Sequence, residues 1–271
     1  MLEVINPGAS SPDAKVAIFD FDGTLSLVRS GWMNVMVPMM IEVLAGLNTG
    51  ETEEQLRGIV EDFVWRLTGK ETVYQMIELA DQVKQRGGIS LDPLAYKRRY
   101  LDQLSAIIAH RIDDLRAGCD PDKYLVPGSR RLLETLKERG VSLYLASGTD
   151  EVYMKEEADL LDLTRYFDGG VFGALDDINA FSKRMLVQRV VRMPGIRGRQ
   201  LIGFGDGYVE IEEVKLAGGV TVGAASDEPE CRELDRWKRQ RLIGVGADYI
   251  VPNYLCQSAL LPMIFANHEP I

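Results

Sequence analysis

Two hydrophobic rhythms alternate along the chain. Short apolar runs that stop abruptly in polar residues occupy its first 25 positions and its second half, and a stretch of helical periodicity separates them. The first run, Val16–Phe19, ends in Asp20; Asp22 follows two residues on, and Gly23 and Thr24 break the extended pattern. A run that is apolar at every position reads as a strand buried on both faces. Open parallel sheets bind ligands beyond the carboxyl ends of their strands, so the polar end of this run is where chemistry is expected.

From residue 26 to about 118 the apolar positions recur at intervals of three and four. Met33, Met36, Met40, Val43 and Leu44 share one face, followed by Leu56, Ile59, Val60, Phe63 and Leu67, then Val73, Met76, Ile77 and Ala80, then Leu94, Leu101, Leu104, Ile108 and Ile112. The spacing predicts four consecutive helices. The Met-rich face of the first is read as adaptable core packing, and the basic run Lys97, Arg98, Arg99 as a solvated helix face.

After Tyr124 strands and helices alternate. Pro127, Gly128 and Ser129 open a helix through Leu132, Leu133 and Leu136 that Gly140 closes, and an apolar run at 141–146 then ends in Ser147, Gly148 and Thr149. Asp150 begins a helix whose first amides point past that strand. A short strand at 170–172, a loop carrying Asp176 and Asp177, and a helix from Ser182 and Lys183 come next. The strand at 200–204 ends in Gly205, Asp206 and Gly207, with Glu210 one turn into the following helix at 209–217. A strand at 220–222, a charged helix at 230–240, a strand at 249–251 and a helix at 257–265 complete the pattern. Such alternation predicts an α/β fold, a doubly wound parallel sheet with helices on both faces. The predicted division is discontinuous: an α/β core from residues 1–25 and 119–271, and an all-helical cap at 26–118.

Composition narrows the partners. At 271 residues, 46% hydrophobic and 27% charged, the chain can bury a sizeable core. A formal net charge of -10 leaves no electrostatic footprint for a nucleic-acid backbone. Residues 33–47 form the longest apolar stretch, but Pro38 and Glu42 interrupt it and it falls short of the roughly 20 residues of a membrane span. The first thirteen residues lack the basic start and apolar core of a secretory signal. Cys119, Cys231 and Cys256 are too few and too scattered for a disulfide framework or a zinc cluster. His110 and His268 lack metal-ligand spacing. The glycine pairs Gly203/Gly205 and Gly244/Gly246 start a dinucleotide fingerprint that Tyr208 and Tyr249 spoil. These features predict a cytoplasmic protein with a small-molecule partner, no nucleic acid and no membrane; nothing in them bears on oligomeric state.

If the three strands that end in Asp20 and Asp22, in Ser147 and in Asp206 are neighbours, their polar ends converge. Several carboxylates in one place repel one another, and a hard cation with oxygen ligands relieves that; magnesium, which also keeps waters and a substrate phosphate oxygen, is the natural occupant. Ser147 supplies a hydroxyl and Lys183 a mobile positive charge suited to phosphate oxygens. A carboxylate can carry a phosphoryl group covalently. The set makes sense as equipment for phosphoryl transfer.

These residues, Asp20-Phe21-Asp22-Gly23-Thr24, Ser147 after an apolar strand, Lys183, and Gly205-Asp206 with an acid at Glu210, resemble the four motifs of the haloacid dehalogenase superfamily in its phosphatase branch. The segment VPGSRRLLETLKERGVSLYLASG resembles the family's approach to its second motif. The resemblance covers most of the core and little of the cap. It implies that Asp20 attacks phosphorus and that Asp22 protonates the leaving oxygen, then deprotonates the water that hydrolyses the aspartyl-phosphate. It implies a Mg2+ held by Asp20, the Asp22 backbone carbonyl and Asp206, with Ser147, its neighbour Gly148, and Lys183 binding the phosphoryl group. The family usually has aspartate where this chain has Glu210, which would reach the metal directly or through water, or orient Lys183 instead. A helical insertion directly after the first motif matches the branch (C1-type) whose mobile cap closes over small soluble substrates. Arg29 and Trp32, where cap and core should meet, are candidate substrate contacts: the arginine for a second anionic group, the tryptophan for a ring.

The expected activity is a magnesium-dependent phosphomonoesterase acting on a small phosphorylated metabolite, a sugar phosphate or a nucleotide-like one. The alternatives are a phosphomutase of the same fold, a non-enzymatic phospho-receiver, and an inactive binding protein. Chain order argues against the receiver, and a competent residue type at every motif position argues against the last.

Overall fold

A seven-stranded sheet runs through the residues that the computed structural model describes, which are 1–175, 182–193 and 196–267. Its strands are β1 (Glu3–Val4), β2 (Val16–Phe19), β3 (Ser142–Asp150), β4 (Gly170–Ala174), β5 (Leu201–Gly205), β6 (Val220–Ala224) and β7 (Tyr249–Val251), in the order β1-β7-β6-β5-β2-β3-β4. Every neighbouring pair is parallel except β1 with β7. The apolar run of β2 is buried throughout because the strand lies inside the sheet and is covered on both faces. Register then aligns the strand ends: Phe19 sits opposite Leu145 of β3 and Phe204 of β5. The next residue, Asp20, therefore comes level with the end of β5 and with the point where β3 turns irregular after Ala146, and its N–H donates to the Phe204 carbonyl. The Phe19 and Phe204 rings stack with centroids 4.4 Å apart directly beneath.

Four helices follow β2: α1 (Met33–Ala45), α2 (Glu53–Leu67), α3 (Thr72–Gln85) and α4 (Pro93–Arg116). Thr52 and Gln55 close a capping box at the start of α2, and Asp92 with Pro93 starts α4. Met36, Met39 and Met40 of α1 lie in the same buried cluster as Phe19 and Phe21, so the helical segment and the sheet share one continuous apolar interior. The later helices are α5 (Ser129–Glu138), α6 (Glu151–Leu160), α7 (Lys183–Val191), α8 (Val209–Leu216), α9 (Arg236–Gly244) and α10 (Gln257–Ile264). No described helix is long and apolar enough to cross a membrane.

The structure departs from the sequence expectations at four places. The strand expected at 141–146 runs on to Asp150, through a register shift after Ala146 that carries Ser147, Gly148 and Thr149. The charged helix expected at 230–240 starts at Arg236, because Asp235 caps it by accepting from the Lys238 N–H at 2.7 Å. The two-residue antiparallel β1 is too short to leave a periodic signal. Lys97 is not solvated: it is 3% exposed and pairs with Asp150 at 2.5 Å, tying α4 to the end of β3. The loop with Asp176 and Asp177, and His268, lie outside the described residues.

Candidate active site

Asp20, buried at the end of β2, is the hub. Its Oδ1 accepts from the Phe21 N–H at 2.7 Å and lies 2.7 Å from the ammonium of Lys183. Lys183 reaches it from the first turn of α7, a helix opened by the Ser182 hydroxyl, which accepts from the Met185 N–H at 3.1 Å. The same ammonium is 3.1 Å from Glu210 Oε2, while Glu210 Oε1 accepts from the Gly207 N–H at 3.1 Å. Lys183 and Glu210 are 3% and 1% exposed, so this is a buried charged cluster. Burial drives the Asp20 carboxyl well above the ordinary carboxylate range; Lys183 pulls the other way, and Glu210 and Asp206 add to the rise. Burial also opposes the charge on Lys183, but Asp20 and Glu210 outweigh it and raise its pKa.

Asp22 is held from the β3 side. The Thr149 hydroxyl donates to Asp22 Oδ2 at 2.8 Å and the Ser147 hydroxyl donates to it at 3.3 Å, while Ser147 Oγ accepts from the Thr149 N–H at 3.0 Å. The irregular end of β3 brings both hydroxyls to one carboxylate oxygen. The other, Oδ1, is buried with no hydrogen-bond partner among the described residues. Burial raises the Asp22 pKa against the pull of Arg29 and of the Thr149 hydroxyl, so this carboxyl can hold a proton more readily than a solvated one.

Asp206 closes the third side. Its N–H donates to Thr24 Oγ1 at 2.9 Å, linking the first and last motifs. Asp20, Asp206 and Glu210 each offer an oxygen within 4.8 Å of the others. Three carboxylates at that separation form an all-oxygen donor set that suits a hard divalent cation.

The cleft above these groups is lined from the core by Ser147, Gly148 and Thr149 and from the helical segment by Trp32, Met36, Thr72, Gln75 and Tyr100. Arg29 also faces it, but its guanidinium is engaged by Glu157 of α6 through bonds of 2.7 to 3.1 Å. Burial opposes the Arg29 charge; Glu157 and Asp22 outweigh it and hold the group firmly protonated. All nine residues singled out from sequence, Asp20, Asp22, Arg29, Trp32, Ser147, Gly148, Lys183, Asp206 and Glu210, thus come to one region, eight of them on the cleft and Glu210 behind Lys183. Thr149, Tyr100 and Lys238, whose ammonium is 2.9 Å from Asp206 Oδ2, carried no sequence signal for a role here.

The loop after α2 presses on this site through backbone. Gly69 has φ +98°, and a Cβ there would lie 3.0 Å from Gly207 Cα and from the Tyr208 nitrogen; a Cβ on Gly148 would lie 2.6 Å from the Lys70 carbonyl oxygen. Gly69→Ala combines backbone strain with this close approach and is expected to cost about 1–3 kcal/mol, measurable as a lower urea midpoint with an unchanged slope.

The model of the haloacid dehalogenase-like hydrolase family matches residues 14–218, well over half of the chain. Among solved structures, a phosphonoacetaldehyde hydrolase-like protein from Oleispira antarctica is similar at 15% identity and a TM-score of 0.57, covering 97% of this chain and 98% of its own. A predicted phosphoglycolate phosphatase from Haemophilus somnus is similar at 16% identity and a TM-score of 0.56, covering 92% and 98%. A HAD family hydrolase from Deinococcus radiodurans gives 14% identity and 0.53, covering 93% and 96%. At these identities the likeness is one of fold. No protein of curated function matches the sequence. With the family match spanning all four polar strand and helix ends, from Asp20 to Glu210, the chain belongs to the haloacid dehalogenase-like hydrolases and is an enzyme.

Proposed function

We propose that this enzyme is a magnesium-dependent phosphomonoesterase that hydrolyses a small phosphorylated metabolite through an aspartyl-phosphate on Asp20. The observation that carries the reading is Asp20 itself: a buried carboxylate at a strand end, 2.7 Å from a buried lysine and beside two further acids. In this reading Asp20 attacks phosphorus and the leaving oxygen takes a proton from Asp22. Asp22 then accepts a proton from the water that attacks the phosphoryl group, which releases phosphate and restores Asp20. The two hydroxyls on Asp22 Oδ2 leave Oδ1 for that proton. Ser147, Gly148 and Lys183 hold the phosphoryl oxygens. Asp20, Asp206 and the Asp22 carbonyl would hold the Mg2+, which supplies charge neutralisation as phosphoryl oxygens approach the acids. Glu210, bonded to Lys183 and to the Gly207 N–H, is assigned the orientation of Lys183.

The division of labour follows the chain: residues 1–25 and 119–271 form the catalytic core, and residues 26–118 form a cap that covers the leaving part of the substrate. Because Glu157 already engages Arg29, and Lys70 at the edge of the cleft is exposed with its ammonium over the Tyr74 ring at 5.3 Å, the cap side offers mainly hydroxyl, amide and aromatic groups to the substrate. The reading therefore favours monophosphates of uncharged, hydroxylated compounds in a cytoplasmic setting that suits three free cysteines. Purified protein with Mg2+ should release phosphate from a generic aryl phosphate and lose that activity in chelator. In a metabolite panel, sugar and polyol monophosphates should exceed bisphosphates and carboxylate-bearing phosphates by about tenfold or more in kcat/KM, the scale of one unmatched charge. Preference for a doubly anionic substrate would overturn the assignment of Arg29. Isomerised sugar phosphate without free phosphate would make the enzyme a mutase.

A further inference from the structure

Lys238 sits outside every motif that points to catalysis, yet it is the second ammonium in the acidic site. Its Nζ is 2.9 Å from Asp206 Oδ2 and 2.5 Å from Glu228 Oε1. The three side chains are 11%, 13% and 15% exposed for Lys238, Asp206 and Glu228, so this is no solvated surface pair. The lysine is also placed firmly. Its own N–H is bonded to the cap residue Asp235, Arg239 of the same helix pairs with Glu3 at 2.6 Å, and Arg241 donates to the carbonyls of Trp65, Arg66 and Thr68. From the opposite side, Asp206 and Glu228 lie against the turn of the first motif. A Cβ on Gly23 would collide with Asp206 Oδ2 and come within 2.8 Å of Glu228 Oε1.

We infer that Lys238, steadied by Glu228, is a positioning residue that fixes the Asp206 carboxylate so that it can share a cation with Asp20. The inference rests on the proposed metal site. A metal-binding carboxylate needs an outer partner to hold its plane, and such partners are commonly worth 10- to 100-fold in metal affinity. Lys238 also separates two carboxylates: without it, Glu228 and Asp206 face each other bare in a poorly solvated corner, and their repulsion turns Asp206 away from Asp20. Simple electrostatics makes the opposite forecast, since deleting a positive charge near a cation site would tighten cation binding. The two accounts therefore differ in sign.

The test is a Mn2+ titration of the purified full chain, followed by electron paramagnetic resonance, with melting in chelator as the check on folding. Lys238→Met should melt cooperatively and bind Mn2+ about 10- to 100-fold more weakly than wild type. The double variant Glu228→Gln/Lys238→Met, which removes the pair without leaving a bare carboxylate, should bind more tightly than Lys238→Met and more weakly than wild type. Lys238→Met binding Mn2+ as tightly as wild type, or more tightly, overturns the inference and leaves the metal site standing. If Lys238→Met fails to fold, the double variant decides, and affinity equal to wild type overturns the inference. Wild-type protein that takes up no Mn2+ overturns the metal site and this inference together.

Discussion

Asp20→Asn should abolish phosphate release, with kcat/KM falling by about 10⁴-fold or more, while the protein stays folded. An amide of the same shape cannot attack phosphorus, so the loss falls on the chemical step. The fold has little reason to suffer. The change takes one partner from Lys183 but leaves it Glu210 at 3.1 Å, and it relieves the burial that, with repulsion from Glu210 and Asp206, pushes the Asp20 carboxyl upward against the pull of Lys183. In chelator the variant should therefore melt at the wild-type temperature or above it. This pairing of a dead enzyme with an undiminished melt separates a nucleophile from a structural aspartate. Turnover surviving in Asp20→Asn would remove Asp20 from the chemistry.

Lys183→Met is expected to be nearly as severe in activity and costly in stability as well. The ammonium lies between Asp20 and Glu210, at 2.7 and 3.1 Å, and none of the three side chains is more than 6% exposed. Breaking one side of a buried ion pair typically costs about 3–5 kcal/mol, because the remaining charge is left uncompensated. Activity should fall about 10³-fold or more, and inorganic phosphate should inhibit the variant only weakly, because the lysine is also the cation proposed to bind the phosphoryl oxygens. Steady-state kinetics with phosphate as inhibitor, alongside a urea titration, read both effects. A variant that loses stability but keeps its affinity for phosphate would reduce Lys183 to a structural counter-ion.

Much of the site was legible because it is built on strand ends. Apolar runs that stop at Asp20 and Asp206 mark where β2 and β5 leave the sheet, the run that stops at Ser147 marks where β3 turns irregular, and the register of β2 with β3 and β5 brings these points level. Lys183 was legible as the start of a helix after Ser182. What escaped has a physical reason in each case. Thr149 joins Asp22 only because β3 continues irregularly past Ala146, and apolar periodicity does not report a register shift. Lys97 belonged to a basic run that reads as solvated, yet the helix face it shares with Tyr96 and Tyr100 turns inward, and Asp150 supplies its counter-charge from a distant segment. Lys238 lies in a charged stretch with little amphipathic pattern, and its partners Asp206 and Glu228 come from two separate loops. Arg29 was legible as a residue at the site, but the Glu157 that engages it sits on α6, far along the chain. Long-range ion pairs leave no local periodicity, so the charges that tune the site were the part hidden from the sequence.

The most direct measurement on the central claim is an acid quench of the enzyme during turnover of an aryl phosphate with Mg2+, followed by mass analysis of the peptide that carries Asp20. The account predicts a phosphoryl group on Asp20 that appears within the first turnover, disappears on a chase without substrate, and is absent from Asp20→Asn. Steady turnover with no phosphoryl group on that peptide, or with the group on another residue, would contradict it.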